Sequence, residues 1–305
     1  MIAFCLRRLL WMVLTLWVVF SASFFLMRSV PGGPFDSERA LEPEIEQHIK
    51  KRYHLDKPLI EQYLIELGNV ARGDLGYSFK LGDYTVNQVI AAGLPISATL
   101  GLWALAFALS LGLLAGITSA VFRGSWADVA LMLIATIGIA LPNFVIAGIC
   151  IILFVFLIPL FPAAGWGDFS QLVLPAFCLG APYAAYVARI ARTSMLDVLS
   201  QDHIRTARAK GAPPLRVVFV HALRGALLPV VSFLGPAIAG ILTGSLVVEQ
   251  VFAIPGLGSH FVLAAIQRDY TLAMGLVLLY TVLLYVMNWL VDLSYAYLDP
   301  RVELH

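Results

Sequence analysis

Long charge-free runs of apolar residues recur along the chain and alternate with shorter segments that carry the charges. Each run can supply the roughly 20 residues that a helix needs to cross the hydrocarbon layer of a bilayer. A helix is required there because lipid offers no hydrogen-bond partner to backbone amides. The pattern therefore predicts an all-α polytopic membrane protein with six transmembrane helices, at about residues 9–27, 98–122, 129–158, 169–188, 225–248 and 270–291.

The composition supports a membrane location. Of the 305 residues, 60% are hydrophobic and only 13% are charged, whereas a soluble domain carries about 25% charged residues. Most of the outer surface should therefore face lipid. A net charge of +1 gives no field that favours a nucleic-acid partner. Because Cys5, Cys150 and Cys178 lie in or beside apolar runs, we interpret them as small hydrophobic residues and predict no metal site.

The first apolar run, residues 9–27, follows Arg7 and Arg8 and in that respect is similar to a secretory signal. It is longer than the 7–15 apolar residues, roughly, of such a signal. The sequence RSVPGGPF that follows it lacks a cleavage site made of small residues. We therefore predict a retained helix.

The distribution of Lys and Arg predicts the orientation. With six spans, one side holds the N-terminus, loop 123–128, loop 189–224 and the C-terminal tail, with two, one, seven and one basic residues. The short loops opposite hold only Arg268. Both termini are therefore predicted to be cytoplasmic. Segment 28–83 has eight basic and ten acidic residues, is long enough to be exported regardless of charge, and is predicted to be extracytoplasmic, with a polar helix over EPEIEQHIKKRYHL.

The most polar loop contains the segment DHIRTARAKGAPPLRVVFVHALR, residues 202–224. Asp202 is a suitable N-cap, and Gly211 is a suitable helix stop because glycine adopts the left-handed conformation without strain. Pro214 suits the first position of a following helix. The segment therefore predicts two short helices with a sharp bend, the second with one apolar stripe formed by Leu215, Val218, Phe219 and Ala222.

Two interpretations of this segment remain open on physical grounds. A basic loop on the cytoplasmic side satisfies the positive-inside preference without any further role. Capped helices and an apolar stripe exceed that need, and the stripe must be buried against the chain's own helices or against a partner protein. Ala207 and Gly211 lie four residues apart and form a small-residue patch that suits a protruding partner side chain.

The segment resembles the cytoplasmic coupling loop of permeases of binding-protein-dependent ABC importers. That family has Glu-Ala-Ala, three residues, Gly, nine residues and Ile-x-Leu. Here Arg205 and Thr206 replace the first two positions, as in the peptide-transporter branch, and Ala207, Gly211 and HAL at 221–223 follow at the family spacing. Further similar stretches are RSVPGGPF, YHLDKPLIEQY, GDLGYSF and GSLVVEQVFAIPGLG. The resemblance assigns the contact with an ATPase subunit to Arg205, Thr206, Ala207, Gly211, Leu215, His221 and Leu223.

The resemblance implies a type I importer transmembrane domain in a bacterial inner membrane. It implies a first helix within residues 1–28, an extracytoplasmic region at 29–93, a permease core at 94–293 and a cytoplasmic tail at 294–305. It further implies a second homologous permease, one or two ATP-binding subunits, an external peptide-binding protein and a peptide substrate. The sequence contains no G-x-x-x-x-G-K-[ST] loop, so ATP and Mg²⁺ are expected on the partner subunits and no cofactor on this chain.

A few polar and glycine residues near the spans are candidates for the translocation pathway: Asn143, Glu249, Gly256 and Gly258. Glu249 should face protein or water, either at the outer mouth of the pore or as a structural anchor, for example with Arg268. Pro142 predicts a kink in the third span, and Asn143 either lines the pore or bonds between helices. The turn around Gly256 is either re-entrant or a plain connection.

Enzymatic and self-sufficient alternatives have little support in the sequence. We find no catalytic constellation, no H-E-x-x-H spacing and no G-x-S-x-G motif, so the chain is predicted not to be an enzyme. The remaining alternative is a secondary transporter or channel that works alone. That class is typically marked by paired intramembrane charges or an inverted repeat, and neither is evident in this sequence.

Overall fold

The structure is a computed structural model that describes residues 2–29, 55–242 and 246–298. The described residues are almost entirely helical, and the only strand-like feature among them is an isolated bridge between Tyr77 and Thr85. The predicted all-α class is confirmed. In chain order the helices are α1 (Ile2–Ser29), α2 (Leu59–Ala71), α3 (Val86–Val121), α4 (Trp126–Ala140), α5 (Asn143–Ile151), α6 (Phe169–Leu199), α7 (Asp202–Ala209), α8 (Pro214–Arg216), α9 (Leu223–Leu242), α10 (Leu246–Val251), α11 (Leu257–Ile266) and α12 (Tyr270–Leu298).

Within the described ranges, five helical segments are long and apolar enough to cross a membrane. The bent pair formed by α4 and by α5 with the π-helical turn Ile152–Leu157 that continues it supplies a sixth crossing if its two arms count as one span. Several helices extend beyond the apolar runs that predicted them: α3 begins at Val86 rather than near residue 98, and α6 continues to Leu199. Hydropathy marks the part of a helix that lies in lipid, whereas the hydrogen-bonded backbone continues past that boundary.

The third predicted span, residues 129–158, is not one helix. It breaks after Ala140, and α4 and α5 meet at an angle of 110°. Leu141 is extended, with ψ 128°, and Pro142 has ψ 147° ahead of α5. Proline has no N–H to donate and disfavours the helical conformation of the residue before it. The predicted interruption at Pro142 is confirmed, and it is a sharp break of 110°.

The chain divides into two compact units, and the first comprises Ile96–Gly258 with the chain from Leu283 onward. In this unit α6 packs against α4, α5 and α9. Its contact with α3 is close because a Cβ on Gly112 would lie 2.7 Å from the Ala184 carbonyl oxygen, and one on Gly116 would lie 2.5 Å from that of Ala188. Gly112 and Gly116, spaced four residues apart, therefore let α3 and α6 pack closely.

The second unit comprises Ile2–Pro95 and Ser259–Val282. Aromatic residues of α1, Phe20 and Phe24, pack with Tyr63 of α2. The guanidinium of Arg28 donates to Glu66 at 2.6 Å, and Asp269 accepts the backbone N–H of Phe79 at 3.1 Å. These contacts fix the described part of segment 28–83 within its unit. Most of the polar helix predicted at 42–55 lies outside the described residues.

Candidate functional site

The segment of residues 202–224, here called the hairpin, begins with α7. The residue before this helix is Gln201 rather than the predicted Asp202, and its side chain makes no capping hydrogen bond. Asp202 instead opens α7 and accepts from the Arg205 guanidinium at 3.1 Å. The predicted N-cap was therefore wrong by one residue. Gly211 has φ +80°, and no atom lies within 4 Å of the position that a Cβ would occupy there, which confirms the predicted left-handed stop after the helix.

The second arm of the hairpin is not an independent short helix. Pro214 occupies its first turn, as predicted. A π-helical turn at Val217–Ala222 then joins α8 to α9, so that the arm runs directly into a membrane-crossing helix. The prediction of two short helices is wrong for this arm. A displacement of α8 is therefore transmitted along one continuous helix.

The π-helical turn divides the predicted apolar stripe into two faces. Val218 and Ala222 are buried, whereas Leu215 is 72% exposed and Phe219 is 56% exposed. In a π-helix the hydrogen bonds join residues five apart and each turn holds more residues than in an α-helix, so residues three apart no longer share one face, whereas residues four apart still do. The prediction of a single stripe was wrong for this reason. Buried and exposed apolar residues now lie on different sides of the same arm.

The buried face attaches the hairpin to α6. Ile204 of α7 is fully buried and packs in one cluster with Met195 and Val198 of α6. Val217 and Val218 of the second arm belong to the same cluster, and Leu223 packs against it. Apolar packing therefore fixes the hairpin against the end of α6, and the connection between them is not a flexible hinge.

The exposed face presents an apolar surface that we call the docking patch: Leu215, Phe219 and Val220. The patch lies among exposed basic residues of the hairpin. Of the other residues assigned to ATPase contact, Arg205, Thr206, Gly211 and His221 are exposed, and Ala207 and Leu223 are half-buried. The structure thus places most of the predicted contact residues on the accessible surface of one hairpin.

Glu249, a predicted pathway residue, is fully buried. Its Oε1 accepts from the Ser97 hydroxyl at 2.9 Å, and its Oε2 accepts from the Gly258 N–H at 2.8 Å. The Ser97 hydroxyl oxygen also accepts from the Leu257 N–H at 2.8 Å. These bonds tie α10, the start of α11 and the chain at Ser97 together around one carboxyl group.

Gly256 and Gly258 leave the room that this carboxyl group occupies. A Cβ on Gly256 would lie 2.5 Å from both the Glu249 Oε2 and the Ser97 Oγ, and one on Gly258 would lie 2.9 Å from that Oε2. The structure therefore brings three predicted pathway residues together as a packed anchor. Asn143 is half-buried at the start of α5 and, among the described residues, shares no hydrogen bond with them.

One partly buried ion pair was not predicted from the sequence. Asp128 accepts from the Arg192 Nε at 2.8 Å and from the Arg192 Nη2 at 2.9 Å. We counted Arg192 among the loop charges that set orientation, but it lies on α6. The available signal was an isolated Asp at the start of an apolar run, although nothing in the sequence identifies a partner 64 residues away.

Comparison with known proteins identifies the family. Residues 108–304 match the model of the binding-protein-dependent transport system inner membrane component. The chain is 44% identical to the oligopeptide transport system permease protein OppB of Haemophilus influenzae, with 99% of this chain and all of that protein covered. It is 42% identical to the dipeptide transport system permease protein DppB of Bacillus subtilis, with 100% and 99% covered.

Solved structures with a similar fold include two inward-facing crystal forms of the MetNI methionine ABC transporter. The TM-scores are 0.54 and 0.59 at 19% identity, and each match covers 69% of this chain and 96% of the other. This likeness supports the type I importer fold alone. The family match and the relatives that are similar over their whole length favour a permease subunit over the alternative of a self-sufficient carrier. The chain belongs to the binding-protein-dependent transport family and is a multi-pass permease subunit of the bacterial inner membrane.

Proposed function

We propose that this chain forms one half of the translocation pathway of an ATP-driven peptide importer. Relatives that are 42–44% identical over nearly the full chain are named as oligopeptide or dipeptide permeases, which supports a peptide substrate. A second homologous permease supplies the other half of the pathway. An external binding protein, which the family description names, delivers the peptide.

The energy source in this proposal is a separate pair of ATP-binding sites, which hold ATP and Mg²⁺ on partner subunits. The observation that carries the proposal is the hairpin: an exposed apolar docking patch on an element whose other face is packed against α6. An apolar surface among basic residues suits a protein partner better than water. Closure of the ATPase pair displaces the hairpin and shifts the permease between two states.

The external end of the pathway is proposed to depend on the anchor formed by Glu249, Gly256 and Gly258. Because the Glu249 carboxyl group is bonded by the Ser97 hydroxyl and the Gly258 N–H, its role in the proposal is to hold the shape of this region. Asn143, whose side chain is half-buried, is still proposed to lie on the translocation pathway. Because Asn143 lies at the 110° break, its surroundings change whenever α4 moves relative to α5.

A charge at Gly211 tests the proposal. We expect Gly211→Asp to abolish ATP-dependent uptake of radiolabelled trialanine and to weaken co-purification of the ATP-binding subunits, while membrane insertion stays normal. The matched control is Gly73→Asp, since Gly73 has φ +81° and, like Gly211 at +80°, no atom within 4 Å of its Cβ position. Equal backbone strain thus occurs at both sites, but only one lies in the hairpin.

Three outcomes would count against the proposal. Normal uptake by the Gly211→Asp complex would remove the hairpin from the coupling path. Equal loss in the Gly73→Asp control would assign the effect to strain rather than to docking. Accumulation of trialanine by this chain alone, in liposomes without nucleotide, would contradict the need for any ATPase subunit.

A further inference from the structure

The Asp128 carboxylate joins three segments of the chain at the end of α6 that carries the hairpin. It accepts two bonds from Arg192 of α6, one from the Ser119 hydroxyl of α3 and one from the Gly124 N–H at 3.0 Å. We call these residues the clamp: Asp128, Arg192, Ser119 and Gly124. Bidentate pairing fixes both the distance and the orientation of the two side chains. The clamp therefore fastens the start of α4 to α3 and α6.

The clamp and the hairpin both contact α3 and α6, at positions on each helix that lie within one helical turn of each other. Met195, which packs against Ile204 of the hairpin, lies three residues after Arg192. Ala120, the neighbour of Ser119, belongs to the same buried cluster. A displacement of the hairpin that moves this cluster therefore reaches the clamp without passing through any loop.

Beyond the clamp, α4 stays in contact with α6 along its length. Ala135 of α4 packs in a buried cluster with Ala185 and Ala188 of α6. A Cβ on Gly138 would lie 3.4 Å from the Cβ of Ala185. Small side chains allow the two helices to approach closely and leave little freedom to slide.

The regular helix of α4 is interrupted at its end. Leu141 and Pro142 are both non-helical, and the chain turns by 110° into α5. Breaks of this kind are where a rotation of one helical arm against the next is absorbed, because the backbone hydrogen-bond ladder is interrupted there. The break thus marks the far end of a stiff arm that begins at the clamp.

From this arrangement we infer that Asp128 and Arg192 are positioning residues that make α4 move with the hairpin, with Leu141–Pro142 as the hinge. The inference rests on the proposed function, because it concerns how motion from the ATPase subunits reaches the pathway. Without the clamp, α4 lags behind the hairpin. Nucleotide hydrolysis then continues while fewer peptides cross.

The first test measures trialanine uptake per ATP hydrolysed, with the full complex in liposomes. We expect Asp128→Asn to lower this ratio at least about fivefold, the lower limit of typical coupling between sites, while the ATP-binding subunits still co-purify. The control is Glu61→Gln, which removes the exposed Lys57–Glu61 ion pair at 2.7 Å and should leave the ratio unchanged. Arg192→Lys, which keeps the charge but not the bidentate geometry, should give an intermediate ratio.

The second test replaces the clamp by a covalent bond. Gly138→Cys with Ala185→Cys places two Cβ atoms near the roughly 3.8 Å separation of a disulfide, in a background in which Cys5, Cys150 and Cys178 are alanine. Oxidation should leave uptake intact in the chain with Asp128 and should restore the ratio in Asp128→Asn. A reducing agent should reverse the rescue. A purely stabilising role of the clamp predicts no such redox-dependent ratio.

The failures are distinguishable. If the unmodified complex shows no ATP-dependent uptake, the proposed function fails. If it shows uptake but Asp128→Asn leaves the ratio unchanged, or lowers only assembly, the inference about α4 fails alone. Loss of uptake when positions 138 and 185 are cross-linked in the chain with Asp128 would also overturn it, because α4 would then have to move against α6.

Discussion

The free energy of unfolding should fall further the more hydrogen-bond acceptors are removed from the side chain of residue 249. The hydrogen bonds that end on this fully buried carboxyl group include one from Ser97 and one from the Gly258 N–H. A hydrogen bond to a charged group contributes about 1.5–3 kcal/mol. Glu249→Ala removes both acceptors, so the free energy of unfolding should fall by about 3–6 kcal/mol.

The amide of Glu249→Gln preserves much of this geometry. Its oxygen can accept from the Gly258 N–H, and its nitrogen can donate to the Ser97 hydroxyl oxygen, which has a second acceptor site besides the one that Leu257 uses. We therefore expect a loss of only about 1–2 kcal/mol for this variant. Gln250→Ala, at the exposed neighbouring position, serves as the control and should change little.

The assay is reversible unfolding of the purified chain in mixed detergent micelles, followed by far-UV circular dichroism. Wild-type-like unfolding of Glu249→Ala would refute the anchor interpretation, and so would equal losses for the alanine and glutamine variants. Normal assembly with an altered peptide preference in Glu249→Gln would instead restore the pathway interpretation of this residue.

Two further predictions concern close contacts and the two faces of the hairpin. Gly116→Ala should lower the free energy of unfolding by about 1–3 kcal/mol, because the added Cβ meets the Ala188 carbonyl at 2.5 Å, whereas Gly148→Ala, with no atom within 4 Å, should be neutral or stabilising. Phe219→Asp should weaken binding of the ATP-binding subunits at least about tenfold without altering detergent unfolding, whereas Val218→Asp should unfold the chain because that position is buried. Size-exclusion chromatography and the same unfolding assay separate these results.

Sequence patterns predicted the helices well because long apolar runs have few alternatives in a membrane. They could not give the angle at Pro142, because proline interrupts a helix but the neighbouring helices set the direction in which it resumes. They also misassigned the stripe of the hairpin, since a π-helical turn at Val217–Ala222 changes the periodicity on which the stripe was based.

For the residues of the site, too, features set by local backbone geometry could be predicted from the sequence, and contacts between distant residues could not. Local signals predicted the stop at Gly211 and the start at Pro214, because both depend on backbone geometry of the residue itself. The Asp128–Arg192 pair and the bonds of Glu249 to Ser97 join residues that are far apart in sequence. A single sequence contains no signal for such pairing, so these contacts required the fold.

Photo-cross-linking from the docking patch identifies what the hairpin touches. Phe219 is replaced by benzoylphenylalanine in cells that produce the whole complex, and the irradiated adduct is identified by mass spectrometry. The matched control is Leu160, which is 63% exposed and lies in a loop predicted to face the opposite side of the membrane. We predict an adduct with an ATP-binding subunit from position 219 and none from position 160. Adducts from position 219 that contain only lipid or this same chain would contradict the coupling role of the hairpin.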